Sequence, residues 1–230
     1  MSSAAPQFIH LNVHSTFSLL EGLPSVKSIA KKAKELGMPA VGVADSNNLF
    51  AAVEMSKHLP AAGIQPIIGT TLGVRREDAE EGKLTPPDML TLLVQDATGW
   101  QNLMQLSSKA FLESAPEEVP QVTWDQLKTY SAGLIALTGS ARQGGVPRLL
   151  REEQPTAAED MLKRLAGIFP DRLYVELQRH GMHEEKLVEA DLVALAYGLN
   201  LPLVATNDCR FLEPNACCEY GLNLLRSRFN

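Results

Sequence analysis

The segment LPSVKSIAKKAKELGMPAVGVA, residues 23–44, decides the class of fold. In its first half Val26, Ile29, Ala30 and Ala33 recur at spacings of three and four, with Lys31, Lys32 and Lys34 turned outward. That pattern predicts a helix with one buried face. Pro24 stands at the helix start, and Gly37, with Pro39 two residues beyond, ends it. PAVGVA (39–44) follows as a short apolar run, which reads as a strand. A helix delivered straight into a strand is half of a β/α repeat.

The same alternation continues along the chain. Seven candidate strands appear: QFIHLNV (7–13), PAVGVA (39–44), QPIIGTTLGV (65–74), LTLLVQ (90–95), GLIALTG (133–139), RLYVELQ (172–178) and LPLVATN (201–207). Between them, Leu103/Leu106 with Ala110 and Leu187/Ala190/Leu195 carry helical spacing, and YGLNLP (197–202) repeats the helix stop. Strands separated by helices imply parallel pairing, and seven units favour a closed or nearly closed barrel with its chemistry at the C-terminal strand ends. Residues 75–88, 113–121 and 140–156 mix Pro, Gly and charge without periodicity and read as loops.

With 230 residues the chain can bury a core in one domain, so 1–230 is read as a single domain. A formal charge of -6 argues against free-standing nucleic-acid binding, which needs clustered Lys and Arg; DNA would be reached only through a partner. Apolar runs such as LTLLV fall far short of the roughly 20 residues that span a bilayer, so no membrane segment is expected. MSSAAPQ has neither positive charge nor an apolar stretch of the secretory kind, which favours the cytoplasm. Cys209, Cys217 and Cys218 lack ligand-like spacing to a second pair and are expected to be reduced thiols.

The predicted strand ends carry Asn12 and His14, then Asp45 and Ser46, Thr70 and Thr71, Ser140, His180, and Asn207 and Asp208 with Arg210; Glu21 follows the first strand. Strict alternation puts His10, Asn12 and His14 on one face of that strand. Imidazoles and carboxylates converging at strand ends are the ingredients of a metallophosphoesterase, but too few are present for a two-metal site. Arg210 opposes one outright, because a guanidinium is always charged and donates no lone pair. Each residue also has a structural reading. His14 can be a hydrogen-bonded histidine, Asp208 a turn cap, Glu21 a charge serving the next helix, and His10 a partner of neighbouring backbone. His58 and His183 fall on solvated helical faces. Gly-rich phosphate loops and a GxSxG elbow are absent.

Six ordered blocks extend this reading: FIHLNVHSTFSLLEG (8–22), GMPAVGVADSNNLFAAVEM (37–55), AGIQPIIGTTLGV (62–74), DATGWQNLMQLSS (96–108), LYVELQRHG (173–181) and LPLVATNDCRFLEP (201–214). Together they resemble the polymerase-and-histidinol-phosphatase (PHP) domain at the N-terminus of bacterial replicative DNA polymerase III alpha subunits. The resemblance implies a distorted seven-stranded β/α (TIM-like) barrel. Metal-binding members of that family read HLHVHS, TDHGN, Gly-x-Glu and ATNDxH, and hold two or three divalent metals. Carried over by position, Asn12 and Ser46 stand where the family has histidines, Thr71 stands at its glutamate, and Arg210 at its last histidine. Met89 falls near a further family histidine, and Ser140 where some members carry Cys. His14, Asp208 and the acid Glu21 remain, while Asp45 and His180 match family positions.

The resemblance therefore implies a degraded site with no cofactor and no catalysis, in a domain that braces a DNA polymerase and receives a separate proofreading exonuclease subunit. The polymerase's own catalytic aspartates would lie beyond residue 230, and residues 215–230 would be truncated or begin the next segment. Two alternatives stay open. One is a residual metal-dependent phosphoesterase or 3′–5′ exonuclease using His14, Glu21, Asp45, His180 and Asp208. The other is a relic site in which Arg210, with Asn12 and Thr71, holds a phosphate.

Overall fold

The structure is a computed structural model that describes residues 8–79 and 84–213. Cys217, Cys218 and the MSSAAPQ segment lie outside the described residues. In chain order the elements are α1 (Val26–Glu35), β1 (Ala40–Ser46), α2 (Ala52–Ala61), β2 (Gln65–Val74), β3 (Asp88–Val94), α3 (Ala97–Glu113), β4 (Gln121–Val122), α4 (Trp124–Thr129), β5 (Leu134–Leu137), α5 (Gly145–Arg151), α6 (Pro155–Ile168), β6 (Leu173–Leu177), α7 (His183–Gly198) and β7 (Leu203–Ala205).

The opening helix forms as its sequence predicts. Ser25 accepts from the Ser28 N–H at its start, Gly37 leaves it at φ +67°, and Val26, Ile29, Ala30 and Ala33 are buried. They pack with Val41, Val43, Met55 and Leu59 in a small cluster around β1 and α2. A larger cluster holds β2, β3, β5 and β6 against α3–α7.

The strands form one curled sheet in the order β1-β2-β3-β5-β6-β7, with β4 beside β2. Three expectations need correction here. First, pairing is not uniformly parallel: β3 runs antiparallel to both β2 and β5. Residues between β2 and β3 contain no helix among those described, and without a crossover helix the chain simply turns back.

Second, the described part of the predicted first strand, residues 8–13, does not form a strand, and the seventh strand is the short β4, which starts on the last residue of the region read as the loop 113–121. Val13 alone bridges, to Val43 on one side and Cys209 on the other. Beside it the ladder slips. The Val13 N–H donates to Gly42 O and Val13 O accepts from Ala44, a regular parallel step, but the Gly42 N–H goes to His10 O rather than to Leu11 O. One extra residue sits between the two bonds, as in a β-bulge, and side-chain alternation resets across it. The two sheet edges thus meet at one residue, and a complete seven-stranded TIM-like barrel is not formed as a continuous ladder.

Third, the predicted loop 140–156 contains α5 and the start of α6. The buried stripe of α7 is Glu185, Val188, Leu192 and Ala196, whereas Leu187 is 54% exposed. The stop in YGLNLP is made by Asn200, at φ 53°, not by the helical Gly198.

Gly99 marks the tightest contact between helix and sheet. A Cβ there would lie 1.8 Å from Gly133 O, and Gly133 itself sits at φ +70°. Gly99→Ala is expected to lower stability by about 1–3 kcal/mol through overpacking. A Cβ on Gly198 meets nothing within 4 Å, so Gly198→Ala should be neutral or stabilising in the same urea titration. Equal effects at the two positions would refute the packing argument.

Candidate functional site

The loop after Val13 folds back over the ends of β1 and β2. Its organiser is Asp45, 1% exposed at the end of β1. Asp45 Oδ1 accepts from the Ser15 N–H at 2.7 Å and the Ser18 hydroxyl at 2.6 Å, and Oδ2 accepts from the Ser15 hydroxyl at 2.7 Å. A tight turn follows, with Glu21 and Gly22 N–H groups donating to Ser18 O and Leu20 at φ 64°. Gly22 is obligatory: a Cβ would meet Ser15 O at 2.2 Å.

This loop delivers His14 and Glu21 to Asp208 and Arg210. Ser18 gives its proton to Asp45, so it accepts from His14 Nδ1 at 3.0 Å. The other ring nitrogen, Nε2, stands 2.9 Å from Asp208 Oδ1. Arg210 donates from Nη1 to Glu21 Oε2 at 2.9 Å and from Nε to Asp208 Oδ2 at 3.2 Å. The Ser46 hydroxyl adds a 2.6 Å bond to the same Glu21 oxygen. The result is a chain of contacts Asp45–Ser18–His14–Asp208–Arg210–Glu21–Ser46.

Charge follows the geometry. Burial pushes the Asp208 carboxyl up, but the hydrogen bonds and charges of His14 and Arg210 outweigh it and hold the group below its ordinary range. Glu21 is held low in the same way: burial opposes, and the Ser46 bond and the Arg210 guanidinium prevail. Both acids are therefore spent on internal partners.

The remaining candidate positions part company. Thr71 Oγ1 donates to Ala44 O and meets Thr91 Oγ1, each at 3.3 Å, inside the sheet. Asn12 is buried beside Glu176 of β6. Ser140 caps the turn before α5 through the Gln143 N–H. His180 is clamped between Glu185 Oε1 and Asn207 O, each at 2.7 Å. Burial lowers its affinity for a proton, yet those two acceptors raise it overall. His10 does not share a face with Asn12 and His14. Because of the bulge its ring reaches Cys209 Sγ at 3.3 Å rather than neighbouring backbone. Burial, with Asp208 nearby, pushes that thiol up to about 11, which leaves it unreactive.

Beside Glu21 and Ser46 opens a cleft of about 310 Å³, reaching Met89, Arg76, Arg142 and Arg148. Among the described residues, no three His, Cys, Asp or Glu side chains stand close enough together to hold a metal ion. The sequence reading missed Ser15 and Ser18, which hold Asp45, and Glu176. The signal for the serines was their placement beside His14 in HSTFS; for Glu176 it was a lone acid inside the apolar run LYVEL.

Comparison with known proteins agrees with this architecture. The PHP domain profile matches residues 10–180. The chain is 43% identical over 218 residues to DNA polymerase III subunit alpha of Caulobacter vibrioides, covering 93% of this chain and 19% of that protein. It is 38% identical over 208 residues to the Escherichia coli subunit, covering 90% and 18%. It thus spans less than a fifth of the curated relatives it matches. Among solved structures, one described as a candidate metal-dependent phosphoesterase from Bifidobacterium adolescentis superposes with a TM-score of 0.57 at 14% identity, covering 91% of this chain and 90% of the other. An amidohydrolase from Chromobacterium violaceum, with bound sulfate and no metal, gives 0.57 at 11% identity, covering 88% and 87%.

Proposed function

The chain belongs to the PHP domain family, and from that premise we propose that it is the non-catalytic PHP domain of a DNA polymerase III alpha chain. It serves as a platform that braces the polymerase and receives a separate proofreading exonuclease subunit. The observation that carries this reading is Arg210, whose guanidinium bridges Glu21 and Asp208. A fixed positive charge there does the electrostatic work of a cation and repels a real one.

The residues present do not fit a divalent metal. Both ring nitrogens of His14 are turned to internal oxygen atoms, Nδ1 to Ser18 Oγ at 3.0 Å and Nε2 to Asp208 Oδ1 at 2.9 Å. Asn12, Ser46 and Thr71 offer neutral oxygens already engaged in the fold or standing beside other partners, and neutral oxygen donors hold transition ions poorly. The oxyanion reading is less favoured, because Arg210, Asn12 and Thr71 each turn to a different internal neighbour. For docking, the loop exposes Leu19 and Leu20 at 77% and 78%, and Phe50, which meets Phe17 of the same loop, is 65% exposed.

Dialysis against excess zinc or manganese followed by desalting is expected to leave well under one ion per chain, and phosphomonoester and 3′-terminal phosphodiester substrates should survive intact. The proofreading subunit of the same organism should co-elute with the chain in gel filtration. Stoichiometric metal with chelator-sensitive hydrolysis that is lost in His14→Ala would overturn the non-catalytic reading. Failure to co-elute would overturn the docking role.

A further inference from the structure

Glu176 is a buried acid that the site above does not use. It lies in β6, 2% exposed, with its backbone N–H donating to Thr138 Oγ1 at 2.9 Å. Its Oε1 accepts from the Gln178 amide at 2.9 Å and from the Thr206 hydroxyl. Its Oε2 has no partner, and neither does Asn12 Oδ1, although the two side chains adjoin. Both atoms are buried, and an amide oxygen and a carboxylate oxygen are both acceptors. Each is a buried acceptor left without a donor, a defect that native interiors rarely keep.

Among the described residues, no cation acts on Glu176. Thr206, Gln178, Asn12 and Thr138 are neutral, and the charged group that acts on Glu176 is Asp208, itself an acid. The Arg210 guanidinium and the His14 ring are directed at Asp208, and Arg210 is shared with Glu21. One hydrogen atom on Oε2 turns that acceptor into a donor for the adjoining Asn12 side chain and removes the repulsion from Asp208.

We propose that Glu176 is kept as the neutral acid in the folded protein at neutral pH, with its Oε2–H donated to Asn12 Oδ1. The proton is taken from water on folding and returned on unfolding. It closes the interior polar layer that joins the segment before Val13, β6 and the turn after β7. The two acids are then driven to opposite states: Asp208 ionised beside the Arg210 guanidinium, Glu176 neutral where no cation faces it. Burial is the main cause that raises Glu176, with Asp208 adding to it; the bonds from Thr206 and Gln178 and the adjoining Asn12 side chain oppose it without prevailing.

For an acid whose folded value is raised, the folded state binds the extra proton, so stability is complete below the unfolded value and is lost as pH rises through the folded one. The proposal does not depend on the docking role and is tested separately. Infrared difference spectra of wild type and Glu176→Gln at pH 7 are expected to show a protonated-carboxyl carbonyl band in wild type alone, one that disappears on thermal unfolding. A difference made only of ionised-carboxylate bands would overturn the proposal, as it would for an amide of Asn12 turned to donate to a charged Glu176. Urea midpoints should fall from pH 7 to pH 9 more steeply in wild type than in Glu176→Gln, whose amide reproduces the neutral donor. Parallel slopes, or a Glu176→Gln chain that cannot fold while wild type lacks the band, would also overturn it.

Discussion

Arg148→Met is expected to destabilise the chain by about 3–5 kcal/mol, the penalty for stripping one partner from a buried ion pair. Arg148 is 9% exposed and Asp88 7%. The guanidinium grips Asp88 with two bonds, Nε to Oδ1 at 2.7 Å and Nη2 to Oδ2 at 3.0 Å. Its Nη1 donates to Glu152 at 2.8 Å and to Asp78 at 3.4 Å. Removing the arginine leaves the Asp88 carboxylate buried without a cation, which is where most of the loss arises. Gly145 is part of the same joint, because a Cβ there would meet Asp88 Oδ2 at 2.8 Å. Arg148→Met combined with Asp88→Leu should recover much of the loss, since no charge is then stranded. Urea titrations with unchanged slope measure both. A double variant as unstable as the single one would show that packing, not charge, dominates.

Asp45→Ala is expected to cost about 3 kcal/mol or more, because two hydroxyls and one backbone N–H lose their shared acceptor in a dry site. Solvent cannot replace it, as Ser15 and Ser18 are themselves 0% and 1% exposed. The damage should be local as well as global. His14 Nδ1 depends on Ser18, and the Ser46 N–H also donates to Ser18 Oγ at 3.1 Å. Proteolysis between Leu19 and Leu20 should accelerate in Asp45→Ala under conditions where the wild-type loop resists. Ser15→Ala and Ser18→Ala should each lose less than Asp45→Ala. If either alone matched it, the carboxylate would not be the organiser.

The parts of this architecture that could be read from sequence are those where one local pattern decides the outcome. QPIIGTTLGV is β2 over the same ten residues, 65–74, because a long apolar run bounded by turns has no competing reading. The first helix was equally plain, since its stripe and its Gly37 stop agree. Where two patterns overlapped, the reading failed. GVPRLLR forms α5 although its length, 7 residues, is too short for periodicity to show and its central arginine is buried by a partner 60 residues away in sequence. In α7 the buried stripe includes Glu185, whose carboxylate accepts from the His180 and Met182 N–H groups; a stripe containing an acid looks polar from sequence.

The site followed the same rule. The type of residue at positions 12, 46, 71 and 210 could be compared with a family pattern, and the pairing of Arg210 with an acid could be anticipated from charge alone. The separation of His10 from Asn12 could not, because it arises from one slipped backbone bond between Gly42 and His10. Nor could the adjacency of Asn12 and Glu176, which brings together residues far apart in the chain.

The bridge of Val13 to both Val43 and Cys209 also sets a schedule for biosynthesis. One half of this clasp leaves the ribosome early, but the other emerges nearly two hundred residues later, roughly 10–40 s at ordinary elongation rates. For most of that interval neither Glu176 nor Asp208 has been made, so Asn12 and His14 leave the ribosome long before the acids that complete their layer.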